Sequence, residues 1–453
     1  MAAEARWREG KHARAMNLWC LSILAAIVFE GALRKWLLPG VLHPLAYFAK
    51  DILAGLFILT HPFPGQTPKA LRTIRNLFVA ASVLLAPAFV MGLAQSPAAA
   101  ALTLKNATLW PIFAVYLATN LTARTTAEVG KNLALLVCGM ACLSCLQAVL
   151  PPAHFLNRYA WDAVGISSTQ AMLDTGHVRV SGTFSFITGL GSFGIFAFAW
   201  STWRLAANSG SRVLNLLAAV SSIVCILTCG SRAPLLLCGL GLFGMLLAMR
   251  RFSRVIEVCA LIVIASLAVW FLPTRQFVES YLSRIGSVED TFAERAIDPI
   301  FDFVPVVVEN PLGKGLGQDS QALVYGESSA SGEGTVAQFE DGRSRAAFEG
   351  GLLAIVYLLL LAIVLLGLVV RGLRAANLSI RAATGAFGFL LCWQVWQCLW
   401  FDHVTTSLAW FLAAVWMNAV ATREYCIPLR PPSYRRGAGL HRKTADTPSG
   451  MLV

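Results

Sequence analysis

Charge is scarce in this chain, and acidic charge is scarcest. Of 453 residues, 36 are Lys or Arg and 24 are Asp or Glu, so charged residues make up 13% while hydrophobic ones make up 57%. With a mean hydropathy of +0.65, the chain has too little polar surface to cover a soluble globule of its length. Strict polar and apolar alternation is missing from the apolar runs, which excludes a membrane β-barrel. Those runs instead approach the roughly 17 to 22 residues of a bilayer-crossing helix, the structure that satisfies its own backbone in lipid. The fold class expected is an all-α integral membrane protein.

Cysteine is present, but not as a framework. Ten of the 11 fall within or at the ends of apolar runs, and Cys426 lies in the basic tail. Cys142 and Cys145 form a CxxC with no second pair or His cluster in a polar segment, so they read as small packing residues. No metal or other cofactor is expected. No small-residue cleavage site follows the first apolar run, which therefore reads as an uncleaved helix rather than a signal peptide.

The net charge of +12 would suit nucleic acid, but most Lys and Arg sit in short loops between apolar runs, where they act as topology signals. No nucleic-acid partner is expected. Following the inside bias of these cations yields about twelve transmembrane helices with both termini cytoplasmic. Residues 1–17 form a basic cytoplasmic tail and 18–150 hold the first five spans. Residues 151–272 hold an outer loop and spans six to nine, 273–347 a large outer loop, 348–421 the last three spans, and 422–453 a basic cytoplasmic tail.

Several cations contradict that bias. Arg34, Lys35, Lys50, Lys105, Arg179, Arg232 and Arg345 map to the outer side, at or just inside the ends of spans. Each taken singly is a long side chain able to snorkel to the interface. As a set they suit the pyrophosphate of a lipid carrier, since Arg binds phosphate oxygens through a planar fork. In CGSRAP, Gly230 allows a sharp turn, Ser231 suits a cap and Pro234 a first helical turn, so Arg232 would stand at a helix N-terminus that already favours anions. Arg179 precedes Gly182 and the small residues Gly189, Gly191, Ser192 and Gly194, which permit close helix packing.

The loop 273–347 carries about half of the acidic residues and a Gly-rich stretch, NPLGKGLGQ, at 310–318. It follows no predicted strand and faces away from cytosolic nucleotides, so its glycines read as turn geometry, with Lys314 a further phosphate contact. The loop's carboxylates, amides and aromatics (Phe277, Tyr281, Phe301, Phe303, Tyr325) suit a sugar groove.

Four segments in this order resemble the O-antigen ligase and polymerase family of bacterial membrane glycosyltransferases. They are R-x-S-G-T-F at 179–184, G-S-R at 230–232, N-P-L-G-x-G-x-G at 310–317 and E-x-G-L-L at 349–353. The resemblance implies a GT-C-like helical bundle with one large periplasmic loop in the bacterial inner membrane. It implies metal-independent transfer of glycan from an undecaprenyl-diphosphate-linked donor to a second lipid-linked glycan (polymerase, slightly favoured) or to the lipid A core (ligase). A partner that sets chain length belongs to such systems. Arg179 and Arg232 fall on the family's arginines and would bind the diphosphate, with Arg34, Lys35 and Lys105 beside them. Many relatives also carry a His several residues before E-x-G, and this chain has none there; counting back from Glu349 reaches Asp341 and Glu340.

A carboxylate near apolar surface can act as a general base, which makes Glu340 one candidate. His403, beside Asp402 in the outer turn FDHVTT, is another. Against both stands simple pairing of Glu340 and Asp341 with Arg343 and Arg345 in a solvated helix. Arg345 completes the candidate catalytic set. The rival class is a multi-span transporter or lipid-linked oligosaccharide flippase, which would carry ionisable groups near mid-membrane and broken helices in repeated halves.

Overall fold

The computed structural model describes residues 2–61, 63, 67–159, 178–249, 260, 301–318, 342–396 and 403–422. Apart from an isolated bridge at Val178, helix is the only regular structure among them. Apart from residue 260, the stretch 250–300, where the ninth span is expected, lies outside the described residues, as do most of the large loop and the tail from 423 onward.

Helix α1, Ala2–Ala32, takes in the basic tail and runs on through a π-helical turn at Leu33–Leu37. A 3-10 turn at Gly40–Leu42 leads into α2, His43–Thr60, with Pro44 in its first turn. Helices α3, Lys69–Val83, and α4, Ala86–Gln95, meet at a 44° bend. Pro87 accounts for the bend, because it has no N–H to donate and its ring crowds the carbonyl of Val83.

Helix α5, Pro97–Asn120, starts on one proline and contains another, Pro111. Pro111 cannot bond the carbonyl of Ala107, and that oxygen accepts instead from the Tyr357 hydroxyl at 2.7 Å. Helix α6, Ala123–Val149, is capped by Thr122, whose side chain accepts from the N–H of Thr125. Then come α7, Ile187–Ala206, α8, Arg212–Thr228, capped by Ser211, and α9, Arg232–Met249. Beyond the undescribed stretch lie α10, Phe303–Glu309, and α11, Gly342–Leu373. Helix α12, Leu378–Ala383, passes through a π-helical turn, Thr384–Gly388, into α13, Phe389–Trp396, and α14 is His403–Thr422.

Seven of these stretches are long and apolar enough to cross a membrane, or eight if the bent pair α3 and α4 counts as one. Helix α7 has the length, but its Gly, Ser, Thr and Arg residues suit a helix wrapped by protein rather than lipid. It is buried on nearly every side, as is α14. Together they form the centre: α7 packs against α8, α9 and α14, while α14 packs against α5 and α8 against α6. Polar groups turn inward, as where Ser192 meets Thr405 at 2.6 Å or Asn418 donates to the carbonyl of Ala118 at 2.6 Å. Leucine and isoleucine turn outward, with Leu18, Leu59, Leu247 and Ile363 all more than half exposed. That is the reverse of a soluble fold and suits lipid.

The Gly-rich stretch and E-x-G-L-L, separated by 30 residues of chain, close on each other. Gly351 has φ 57° and ψ −149°, which breaks α11 inside its apparent length. The break releases the carbonyls of Phe348 and Glu349 and the N–H of Leu352 from the helical ladder. The N–H groups of Lys314 and Gly315 take the two carbonyls at 2.7 and 2.9 Å, and Leu352 donates to Pro311 at 2.9 Å. The N–H of Leu316 continues the seam to the carbonyl of Ala88 in α4. Gly313, Gly315 and Gly317 all have positive φ, so the turn geometry expected of these glycines is what the backbone adopts.

Gly351→Ala is expected to destabilise the protein by about 2 kcal/mol or more, because a Cβ would meet Pro311 and the backbone conformation suits glycine alone. Gly367→Ala in the same helix, with open space at its Cβ, is expected to be neutral or stabilising. Thermal unfolding in detergent would show this, and equal melting temperatures for the two variants would contradict it.

Candidate functional site

Where α1 ends and α2 begins, a group of charged side chains lies inside the bundle. Glu30 is 1% exposed, and each of its carboxylate oxygens takes a different cation: Oε1 lies 3.1 Å from Arg34 Nη1, and Oε2 lies 2.5 Å from Lys50 Nζ. In α2, Asp51 binds Lys105 Nζ of α5 at 2.6 Å through Oδ2 and accepts from Trp110 Nε1 at 3.0 Å through Oδ1. The Tyr47 ring lies among three of these cations, 5.6 Å from Arg34, 4.7 Å from Lys50 and 5.4 Å from Lys105.

Snorkelling does not describe these residues. Arg34, Lys35 and Lys50 are 3%, 5% and 0% exposed, and Lys105 lies eight residues inside α5, about 12 Å from its start. Arg34, Lys50 and Lys105 point inward because carboxylates wait there. Removing a charge from water is costly unless a partner of opposite sign and good geometry receives it.

Lys35 differs from its neighbours. Its Nζ donates to Ser181 Oγ at 3.0 Å and to the carbonyl of Gly182 at 2.7 Å, both neutral oxygens, and it lies 4.8 Å from the Trp36 ring. The π-helical turn explains its direction, since the extra residue per turn lets the adjacent Arg34 and Lys35 both face inward.

Both cations thereby reach the segment 181–185. Arg34 donates to Ser185 Oγ at 3.2 Å, and Thr183 Oγ1 donates to the carbonyl of Val28 at 2.5 Å. From the other side, Gln147 of α6 pairs with Gly182 through its amide, accepting from the N–H at 2.9 Å. The sequence reading began a span at residue 181. The helix begins instead at Ile187, because Gly182 has φ 58° and polar side chains occupy the backbone around it.

This segment carries Arg179 to the turn before α9. Arg179 Nε donates to the carbonyl of Cys229 at 3.1 Å, and the N–H of Val180 donates to Thr228 at 3.1 Å. Gly230 turns the chain with φ 67°, and α9 opens on Arg232, as its sequence suggested. The side chain of Arg232 lies outside the described residues. Gly191 and Gly194 lie against Pro234 and Ile226, so the small residues do serve close packing.

Of the residues singled out in the sequence, Arg34, Lys35 and Arg179 therefore meet around one segment, with the backbone of Arg232 next to it. Lys105 joins through Asp51 and Tyr47. Arg345 lies half-buried on the short arm of α11 before the break. Its neighbour Arg343 is 1% exposed, which corrects the expectation of a solvated helix at this point. The backbone of His403 opens α14, but its side chain, Asp402, Glu340 and Asp341 lie outside the described residues.

Sequence reasoning missed Glu30, Asp51, Trp110 and Gln147. A signal existed for the first: Glu30 and Arg34 stand four apart in one helical run, and an acid within an apolar span is uncommon enough to mark a partner.

Comparison with protein-family models and with curated proteins finds no match for the chain.

Asp51→Asn is expected to cost about 3 kcal/mol of stability, because it leaves Lys105 buried without its counter-charge. Trp110→Phe removes one hydrogen bond and is expected to cost about 1 kcal/mol. Thermal unfolding of the purified variants measures both, and a smaller loss for Asp51→Asn than for Trp110→Phe would contradict the pairing.

Proposed function

We propose that the protein is a membrane glycosyltransferase of bacterial surface polysaccharide assembly. In this reading it crosses the inner membrane about twelve times, with both termini cytoplasmic and the loop 273–347 periplasmic. It takes glycan from an undecaprenyl-diphosphate donor and joins it to a second lipid-linked glycan or to lipid A core, polymerisation being the favoured case.

One observation carries the reading: two arginine-bearing segments more than 50 residues apart in the chain meet, through Arg179 and the carbonyl of Cys229, beside the buried cations Arg34 and Lys35. Such a place suits a dianionic headgroup at the end of a lipid chain.

The chemistry balances without a metal. The acceptor hydroxyl oxygen bonds to the anomeric carbon as the bond from that carbon to the phosphate oxygen breaks. The electron pair stays on undecaprenyl diphosphate, and the hydroxyl proton passes to a base, for which Glu340 and His403 are the candidates. Arg179 and Arg232 stabilise the charge growing on the leaving phosphate, as fixed cations in a water-poor site do. Lys105 belongs with the diphosphate-binding cations in this account, and Arg345 with the catalytic candidates.

The second reading, a transporter or flippase, draws on a different observation. Glu30, Lys50 and Asp51 are ionisable groups buried within spans, with Lys105 part-buried beside them, which is where ion and proton pathways are built.

Release of undecaprenyl diphosphate separates the two. The purified protein is expected to release it from a lipid-linked glycan without added nucleotide, and Arg179→Ala or Arg232→Ala is expected to slow release about 100-fold. Unchanged release in both variants would remove the arginines from the mechanism, and movement of intact donor across vesicles with no release would favour transport. Deletion in the source cell is expected to leave single repeat units at the surface, whereas unattached long chains would indicate a ligase.

A further inference from the structure

Glu30 is a residue the glycosyl-transfer reading does not use, yet it stands at the root of the cation group. Its two carboxylate oxygens are divided between Arg34, one turn along the same helix, and Lys50, on the next helix. Arg34 in turn reaches Ser185, and the adjacent Lys35 reaches Ser181 and Gly182. Those residues directly follow Arg179, whose own guanidinium is fastened to Cys229.

We propose that Glu30 is a positioning residue: by holding Arg34 and Lys50 together, its carboxylate keeps α1 and α2 in the register at which Arg34 and Lys35 pin residues 181–185, and so sets where Arg179 stands. The inference rests on the proposed function only for what Arg179 meets; the geometry itself is read without it.

The chain of contacts predicts how the effect spreads. Without the carboxylate, Arg34 loses the acceptor that aims it at Ser185 and is also left beside Lys50 as a buried like charge, so Arg34 leaves Ser185 and the segment lifts from α1. Cys229, fully buried beneath Arg179, then becomes accessible. Neutralising Lys50 as well removes the repulsion and restores charge balance, but it returns no carboxylate to Arg34. The double variant thus separates positioning from charge balance.

The test uses the full-length protein in nanodiscs with Cys229 as its sole cysteine, and reads the rate of its modification by methyl methanethiosulfonate. Glu30→Gln is expected to raise the rate at least tenfold, a shift of about 1.4 kcal/mol in the opening equilibrium. Glu30→Gln with Lys50→Gln is expected to melt within a few degrees of the parent while keeping the raised rate, and Glu30→Asp to restore most of the protection. A parental rate in the double variant would overturn the proposal by reducing Glu30 to charge balance, and a parental rate in Glu30→Gln would overturn it directly. Where Glu30→Gln does not accumulate, the double variant alone decides. In parallel, undecaprenyl diphosphate release by the double variant is expected to lose kcat about tenfold with KM within threefold. No release by the parent would defeat the proposed function and leave the labelling result to judge Glu30.

Discussion

A bilayer supplies no hydrogen bonds, so every polar group drawn into it must be answered from within the protein. Glu30 shows the rule at its strictest. One carboxylate, almost without exposure, answers an arginine and a lysine from two helices, and a second, Asp51, answers the lysine of a third. Once these pairs form, α1, α2 and α5 cannot slide past one another without parting charges in a medium of low dielectric. The surrounding end of the bundle is arranged on that fixed triad, including the segment 181–185 and the turn at Gly230.

The backbone obeys the same rule where α11 breaks. Gly351 interrupts α11 and strands two carbonyls and one N–H, and the stretch around Gly313 and Gly315 consists of the partners those three groups need. Glycine is required on both sides, since a Cβ at Gly313 would strike Glu349 and one at Gly351 would strike Pro311. The seam continues to Ala88 in α4, next to the bend that Pro87 produces. The groups freed at Pro111 of α5 and at Gly351 of α11 therefore each find a specific partner, rather than weakening the bundle at random.

The class of the fold was readable from composition because lipid punishes polarity uniformly, and the runs of apolar residues record that directly. Arg232 opening a helix after Gly230 was readable because turn and cap chemistry is local. Arg34, Lys35, Lys50 and Lys105 were readable as a set, because charges at or just inside the ends of apolar runs are few. What they face was not. Whether a lysine snorkels or turns inward depends on a carboxylate 20 or 54 residues away in the chain, and a single sequence holds no record of that distance in space. The start of α7 was hidden for the same reason: Lys35 and Gln147, distant in the chain, claim the backbone of Gly182 and keep the residues before Ile187 out of the helix. The span count rests partly on helices such as α7, which is shielded by its neighbours and does not need the hydropathy of a lipid-facing span.

The proposed chemistry depends on this bundle end preferring two adjoining phosphates to one. Native mass spectrometry from nanodiscs holding equal amounts of undecaprenyl diphosphate and undecaprenyl monophosphate measures that preference directly. The account predicts retention of the diphosphate over the monophosphate by at least tenfold, about 1.4 kcal/mol, as bidentate guanidinium binding would provide. Equal retention of the two lipids would contradict it.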